Sequence, residues 1–281
     1  MASALLVVTL LAAVTGADTL ATPGWARLAD RPTEADLDCA SYDHHHQWSV
    51  ALRDGEAVVA LAERHVERQD PLPFAVSKHH DRSGERHVLP ASDGWLVGFD
   101  AGEFGGGLWF TATGEDWRRI RPGAGAPAHP EDPFRAENVH GLVVVGEQPM
   151  VLMGLDHLGG RSGRVFTLTL RDGEWTLDRA AVLDSSPEAW QVVDGHLEVV
   201  TEAGLWVVQS DATARLAVPV NFSMAMPRSF AVDADGRRYI GMRRYVLILE
   251  PGSPAWRETW YGPPGCPHSR RKNAWECVCV K

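Results

Sequence analysis

Residues 93–120 read DGWLVGFDAGEFGGGLWFTATGEDWRRI, and the fold follows from how this stretch is read. It opens on an Asp93-Gly94 turn, runs through the apolar segment Trp95 to Phe99, crosses an acidic, glycine-rich loop and returns through Leu108 to Thr111. A second turn at Gly114 leads into Trp117 to Ile120. Short runs of aromatic and β-branched residues separated by turn formers predict strands, here a three-stranded antiparallel meander.

Looser copies of the same stretch follow. Gly107-Leu108-Trp109-Phe110, Gly163-Arg164-Val165-Phe166, Gly204-Leu205-Trp206-Val207 and Arg244-Tyr245-Val246-Leu247 align, and their second residues are spaced 56, 41 and 40 apart. The long first interval holds Gly123 to Phe134, GAGAPAHPEDPF, a loop insertion of turn formers. Asp-Gly pairs at 93, 194 and 235 precede three of these strands, and Trp117, Trp175 and Trp256 follow three of them. Candidate first strands of the units are Arg86 to Leu89, Val139 to Val145, Ala189 to Val193 and Arg228 to Val232. Trp48 to Leu52, the Asp54-Gly55 turn and Ala57 to Leu61 form a degenerate opening unit, in which residues 60–69 also admit a short helix.

A period near 40 with three or four short strands per unit is the range of propeller blades. A small twisted sheet cannot cover both its faces, so copies must pack on it. The chain resembles β-propeller proteins in general, at the level of repeat shape, across five units between His44 and Gly262. The resemblance implies an all-β, five-bladed β-propeller of short antiparallel strands, and a β-sandwich is the alternative. TATGEDW, Thr111 to Trp117, is similar to the Asp-box turn of sialidase-like propellers in its Gly114-to-Trp117 spacing, with Ala112 where the named aspartate stands.

A chain of 281 residues can bury a large core, and eleven tryptophans with 27 glycines point to strands and tight turns rather than bundles. A net charge of −10 argues against nucleic acid or an anionic membrane surface as partner. Residues 4–14, ALLVVTLLAAV, followed by Thr15-Gly16-Ala17, read as a signal peptide spanning 1–17, and a buried first strand or helix is the other reading. No integral membrane segment is expected downstream. The expected organisation is therefore a leader, a surface linker at 18–43, the repeat domain at 44–262 and a cysteine-containing tail at 263–281, in a secreted or periplasmic protein.

Four cysteines in an exported chain suggest two disulfides. Cys39 lies before the repeats and Cys266, Cys277 and Cys279 after them, so a bond from Cys39 to Cys277 or Cys279, with Cys266 joined to the other, would fasten the seam of a ring. Zinc on the three C-terminal cysteines and His268 competes with this, although the spacing C-x-H-x8-C-x-C matches no standard finger.

Signatures for phosphate loops, dinucleotides, HExxH metals, EF-hands and nucleophile elbows are absent, and no cofactor or metal is expected. The propeller resemblance implies that loops between second and third strands share a face with the loops joining one unit to the next. Asp100, Glu103, Asp156, His157, Glu202, Arg243 and Arg244 would stand there, joined by His140, Trp190 and Arg228 and by His79, His80 and Asp81. Such a mouth would bind a polar small molecule, a glycan or a peptide. Two of Asp100, Glu103, Asp156 and Glu202 would serve a glycoside hydrolase instead. The run His44-His45-His46 beside Asp43 is a poor metal site, since consecutive residues rarely converge on one ion.

Overall fold

The computed structural model describes residues 26–43, 47–61, 68–77, 79–102, 106–123, 138–157, 160–222, 225–253, 255–262, 268–273 and 277–279. The expected signal peptide, the run at 44–46, Glu103 and Cys266 lie outside them. The described chain is all-β apart from one short helix.

It begins with β1 (Ala26–Arg27) and α1 (Glu34–Ala40), then the hairpin of β2 (Trp48–Arg53) and β3 (Glu56–Leu61). The stretch quoted above forms an antiparallel sheet of β4 (Glu85–Ala91), β5 (Gly94–Asp100), β6 (Gly106–Thr111) and β7 (Arg118–Arg119). After β8 (Arg121–Pro122) comes a second sheet of β9 (Asn138–Val145), β10 (Gln148–His157), β11 (Gly160–Arg171) and β12 (Glu174–Leu183), and β8 pairs parallel to β12 on its outer edge. The third comprises β13 (Ala189–Val193), β14 (His196–Thr201), β15 (Gly204–Val208) and β16 (Ala214–Pro219). The fourth has β17 (Ser229–Val232), β18 (Arg238–Gly241), β19 (Val246–Glu250) and β20 (Arg257–Gly262), with β1 added outside β20. A last hairpin joins β21 (Ser269–Arg271) to β22 (Cys277–Cys279).

Local chemistry accounts for the hairpins. Asp54-Gly55, Asp172-Gly173 and Asp194-Gly195 hold both residues at positive φ, the backbone that a two-residue turn between right-twisted strands demands. The repeat-aligned glycine has a different cause. A Cβ at Gly163 would meet the Ser185 carbonyl oxygen at 1.8 Å, and one at Gly204, where φ is +141°, would meet that of Val218 at 2.0 Å. At Gly163 the segment leaving the fourth strand of the unit runs directly over this backbone, and at Gly204 the paired strand β16 itself does. In the last unit Arg244 occupies the position at φ +62° with its Nε 3.8 Å from Asp43 Oδ2, a conformation that costs a side chain on the order of 1 kcal/mol or more.

Successive residues of a strand face opposite sides of the sheet, and here opposite sides mean different cores. In β10, Val151 and Met153 pack with Leu96, Leu108 and Phe110 of the preceding sheet, while Met150 and Leu152 pack with Leu197 and Val199 of the following one. In β19, Leu247 and Leu249 face Val200 and Leu205, while Val246 and Ile248 face Val50 and Val59 of the β2–β3 hairpin. Each apolar cluster thus lies between two units, in the order β4–β7, β9–β12, β13–β16, β17–β20, β2–β3. Every fully buried Leu, Ile or Val in them contributes roughly 1.5–3 kcal/mol. With this many sheets and cores, a two-sheet sandwich does not describe the chain.

From residue 26 onward, the stretch expected as a surface linker belongs to the folded body. Thr33 and Asp36 form a reciprocal capping box that starts α1, and Leu37, Cys39 and Ala40 are buried. Asp36 is 1 % exposed and accepts hydrogen bonds from the Thr33 amide (2.8 Å), the Thr33 hydroxyl (2.7 Å) and the Ser269 amide, with His268 Nδ1 at 3.0 Å. Burial alone would raise the Asp36 carboxyl, but the bonds from His268, Ser269 and Thr33 hold it below its usual value. A disulfide links Cys39 to Cys277, with Cα atoms 5.8 Å apart. That bond takes Cys277 out of any zinc site, and His268 is spent on Asp36. The side chain of Cys279, like Cys266, lies outside the described residues.

Candidate functional site

In three of the units the loop between second and third strands touches a connecting segment. The Ala101 amide donates to Asn138 Oδ1 (3.2 Å), the Glu202 amide to Ser185 Oγ (2.9 Å), the Phe222 amide to the Glu202 carbonyl (2.9 Å) and the Arg243 amide to the Ala225 carbonyl (2.9 Å).

His140 is where three units meet. In the β9–β10 ladder Gly141 pairs with Leu152 and Val139 with Met153, so His140 is the extra residue of a β-bulge. Bulges redirect a side chain out of the ladder. Here the ring swings to Asp100 at the end of β5, with Nδ1 3.4 Å from Oδ2. Nε2 lies 2.8 Å from Ser186 Oγ and 3.2 Å from the Gly154 carbonyl. The bulged carbonyl accepts the Trp190 indole N–H at 3.0 Å. Trp190 lies flat on Gly141, where a Cβ would come within 2.5 Å of the ring.

A carboxylate beside Nδ1 favours a proton there; with Nε2 bare the Ser186 hydroxyl donates to it, and with Nε2 protonated it donates to the Gly154 carbonyl. The trio has the connectivity of an acid–base relay. Ser186, however, is 3 % exposed, while His140 and Asp100 side chains each keep 20 % of their surface. The arrangement therefore fixes a partly exposed imidazole rather than presenting a serine nucleophile. His87 on β4 is its buried neighbour. Its Nδ1 has no hydrogen-bond partner among the described residues. Burial first, then the charges of Arg68 and His140, push its pKa down to about 4 against the opposing pull of Asp70 and Asp100.

The other expected residues fall into separate pairs. Glu202 forms an ion pair with Arg161 and Arg228 lies 3.8 Å from Glu188. Arg243 donates to the Ser41 carbonyl at the end of α1, and burial lowers its pKa. Arg243 and Arg244 thereby serve the junction with α1 and Asp43. Asp156 and His157 are in β10, but nothing is described of their side chains, and Glu103 lies outside the described residues. Sequence reading missed Ser186 and His87. Ser186 sits in the turn-forming run Asp184-Ser185-Ser186-Pro187, and His87 occupies an ordinary strand position. Neither carries a motif.

Among the described residues, His79, His80 and Asp81 are the set whose ligand atoms fall within 4.8 Å of one another, as sharing a metal ion would require. No helix among the described residues is long and apolar enough to cross a membrane.

What the fold and site define is an all-β protein built of repeated small antiparallel sheets, with a histidine-centred cluster where three of them meet. No family model and no curated protein matches the chain. Among solved structures, it is similar to the extracellular domain of a one-component system from B. thetaiotaomicron. That match has 15 % identity and a TM-score of 0.38, and covers 63 % of this chain and 21 % of that one. It is also similar to a gluconolactonase from Xanthomonas campestris, at 15 % identity and a TM-score of 0.33, over 79 % of this chain and 66 % of that one. Likeness this distant carries no argument about fold or activity.

Proposed function

We propose that the chain is an exported binding protein whose residues 44–262 form a five-bladed β-propeller and whose mouth takes a polar ligand, a carbohydrate or peptide. The radial reading is supported by apolar cores that lie between consecutive units and by inner strands that follow one another in chain order. The binding reading rests on one observation: Asp100, His140 and Trp190 come from three successive units and converge through contacts of 3.4 and 3.0 Å. Partly exposed polar groups fixed beside an aromatic ring suit a ligand that offers both hydroxyl groups and an apolar face. Asp100 is engaged by His140 and Glu202 by Arg161, which favours binding over the glycoside hydrolase reading.

The test is a screen of glycans, peptides and polar metabolites against residues 18–281, followed by incubation of each hit to look for turnover. A hit weakened at least about tenfold by His140→Ala, or about 1.4 kcal/mol, is the expected result. Hits indifferent to that substitution would remove the site, and turnover of a glycoside would restore the hydrolase.

A further inference from the structure

We propose a second ligand site, separate from the His140 mouth, that takes a small oxyanion with Arg82 as its principal donor. An open pocket of about 560 Å3 lies between the segments 68–77 and 79–84 and the β4–β7 sheet, lined among others by Gln69, His79, His80, Arg82, Arg86 and Phe99. This volume is in the range that holds small molecules. Two arginines and two histidines stand in its lining, on a chain whose net charge is −10.

Packing has already fixed the arginine. Phe74 meets Trp95 and Trp117 edge-on at 5.2 and 6.1 Å, anchoring the segment on the sheet. Arg82 then lies over Trp117 at 4.7 Å and Trp109 at 5.5 Å, so its rotamer freedom is largely lost before any ligand arrives. Arg82 Nε and Trp109 Nε1 are both buried without a hydrogen-bond partner among the described residues. Arg82 lines the pocket, and among the described residues its Nη2 makes one long bond, to the Ser77 hydroxyl oxygen at 3.3 Å, so the planar fork keeps hydrogens for an incoming acceptor. The carboxylate of Asp81, next to Arg82 in the chain, is already occupied by His80 (2.8 Å) and Arg119 (3.8 Å).

The same histidines and Asp81 would suit a cation by distance alone. Charge opposes it, because a divalent ion there would sit beside the guanidinium on Asp81, and the Asp81 amide already donates to His79 Nδ1 at 3.3 Å. A carboxylate or a tetrahedral oxyanion gains from the same groups.

Calorimetric titration of the folded protein with sodium phosphate and, separately, sodium acetate, each to about 20 mM to reach a millimolar site, tests this. Saturable single-site binding of at least one anion is expected, and which one binds separates tetrahedral from carboxylate ligands. Arg82→Gln should weaken it at least about tenfold. His80→Gln should weaken it about threefold with an unchanged melting temperature, since that ring is 77 % exposed. Should Arg82→Gln fail to fold, Arg82→Lys keeps the charge and loses the planar fork, and a loss of about fivefold is expected. The proposal is overturned if neither anion binds, if binding survives the Arg82 substitutions, or if the protein takes up zinc in a manner abolished by His80→Gln. Failure here leaves the His140 reading standing.

Discussion

Replacing both Cys39 and Cys277 by serine should cost about 5 kcal/mol. The bond joins residues 238 apart, and a loop of that length removes roughly 18 cal/mol/K from the unfolded chain in the chain-entropy model, or about 5 kcal/mol at 25 °C. The folded state has little to offset this, for Cys39 is 1 % exposed and its helix packs on the core of the last two units. Urea denaturation of wild type and double variant is the assay. With an m-value of roughly 2.5 kcal/mol/M, the midpoint should fall by roughly 2 M at unchanged slope. A loss below about 1 kcal/mol would refute the claim that the bond clasps the two ends. Non-reducing peptide maps that join Cys39 to another cysteine would refute the pairing itself.

Asp36→Ala removes the acceptor shared by Thr33, His268 and Ser269 and should destabilise the protein by about 3–5 kcal/mol, the usual cost of breaking a buried charged network, measured by the same denaturation. The folded carboxyl lies below its unfolded value of 3.8, so its contribution is present above that pH and lost as the pH falls through the folded value. His87 acts at milder acidity. Its pKa falls from 6.5 unfolded to about 4 folded, so the unfolded chain binds the extra proton between those values and stability declines as pH drops through that window. The full effect is about 3 kcal/mol. His87→Gln should flatten that part of a stability-against-pH curve, and a variant with the wild-type slope would show that His87 does not titrate there.

The repeats were legible because their cause is local. Glycine at 163 and 204 is imposed by a closely approaching carbonyl, and Asp-Gly pairs by the turn, so both left marks at fixed offsets in the sequence. Strand alternation showed which runs were strands, and the candidate first strands at 86, 139, 189 and 228 correspond to β4, β9, β13 and β17 within two residues. Helix α1 was hidden because seven residues are too few for a helical period. Its one signal was Thr33-x-x-Asp36, which reads as a capping box only once a helix is suspected. The two-residue strand β1 has no signal, being defined by its partner Tyr261 and Gly262. At the candidate site Asp100, His140 and Trp190 were legible as polar or aromatic loop-face residues. Their convergence depends on a bulge at His140, and the burial of Ser186 and His87 on how neighbouring sheets meet. Arg243 and Arg244 read as ligand groups because the sequence cannot show that α1 folds back onto them.

The most direct measurement is ligand titration followed through the His140 ring signals by NMR, using the best hit of the screen on wild type and on Asp100→Asn. The account predicts that the His140 signals move saturably with the same dissociation constant as bulk binding, and that losing the carboxylate beside Nδ1 weakens binding while the melting temperature holds. If the ligand saturates the protein while the His140 signals stay fixed, the mouth where the three units meet is not where this protein binds.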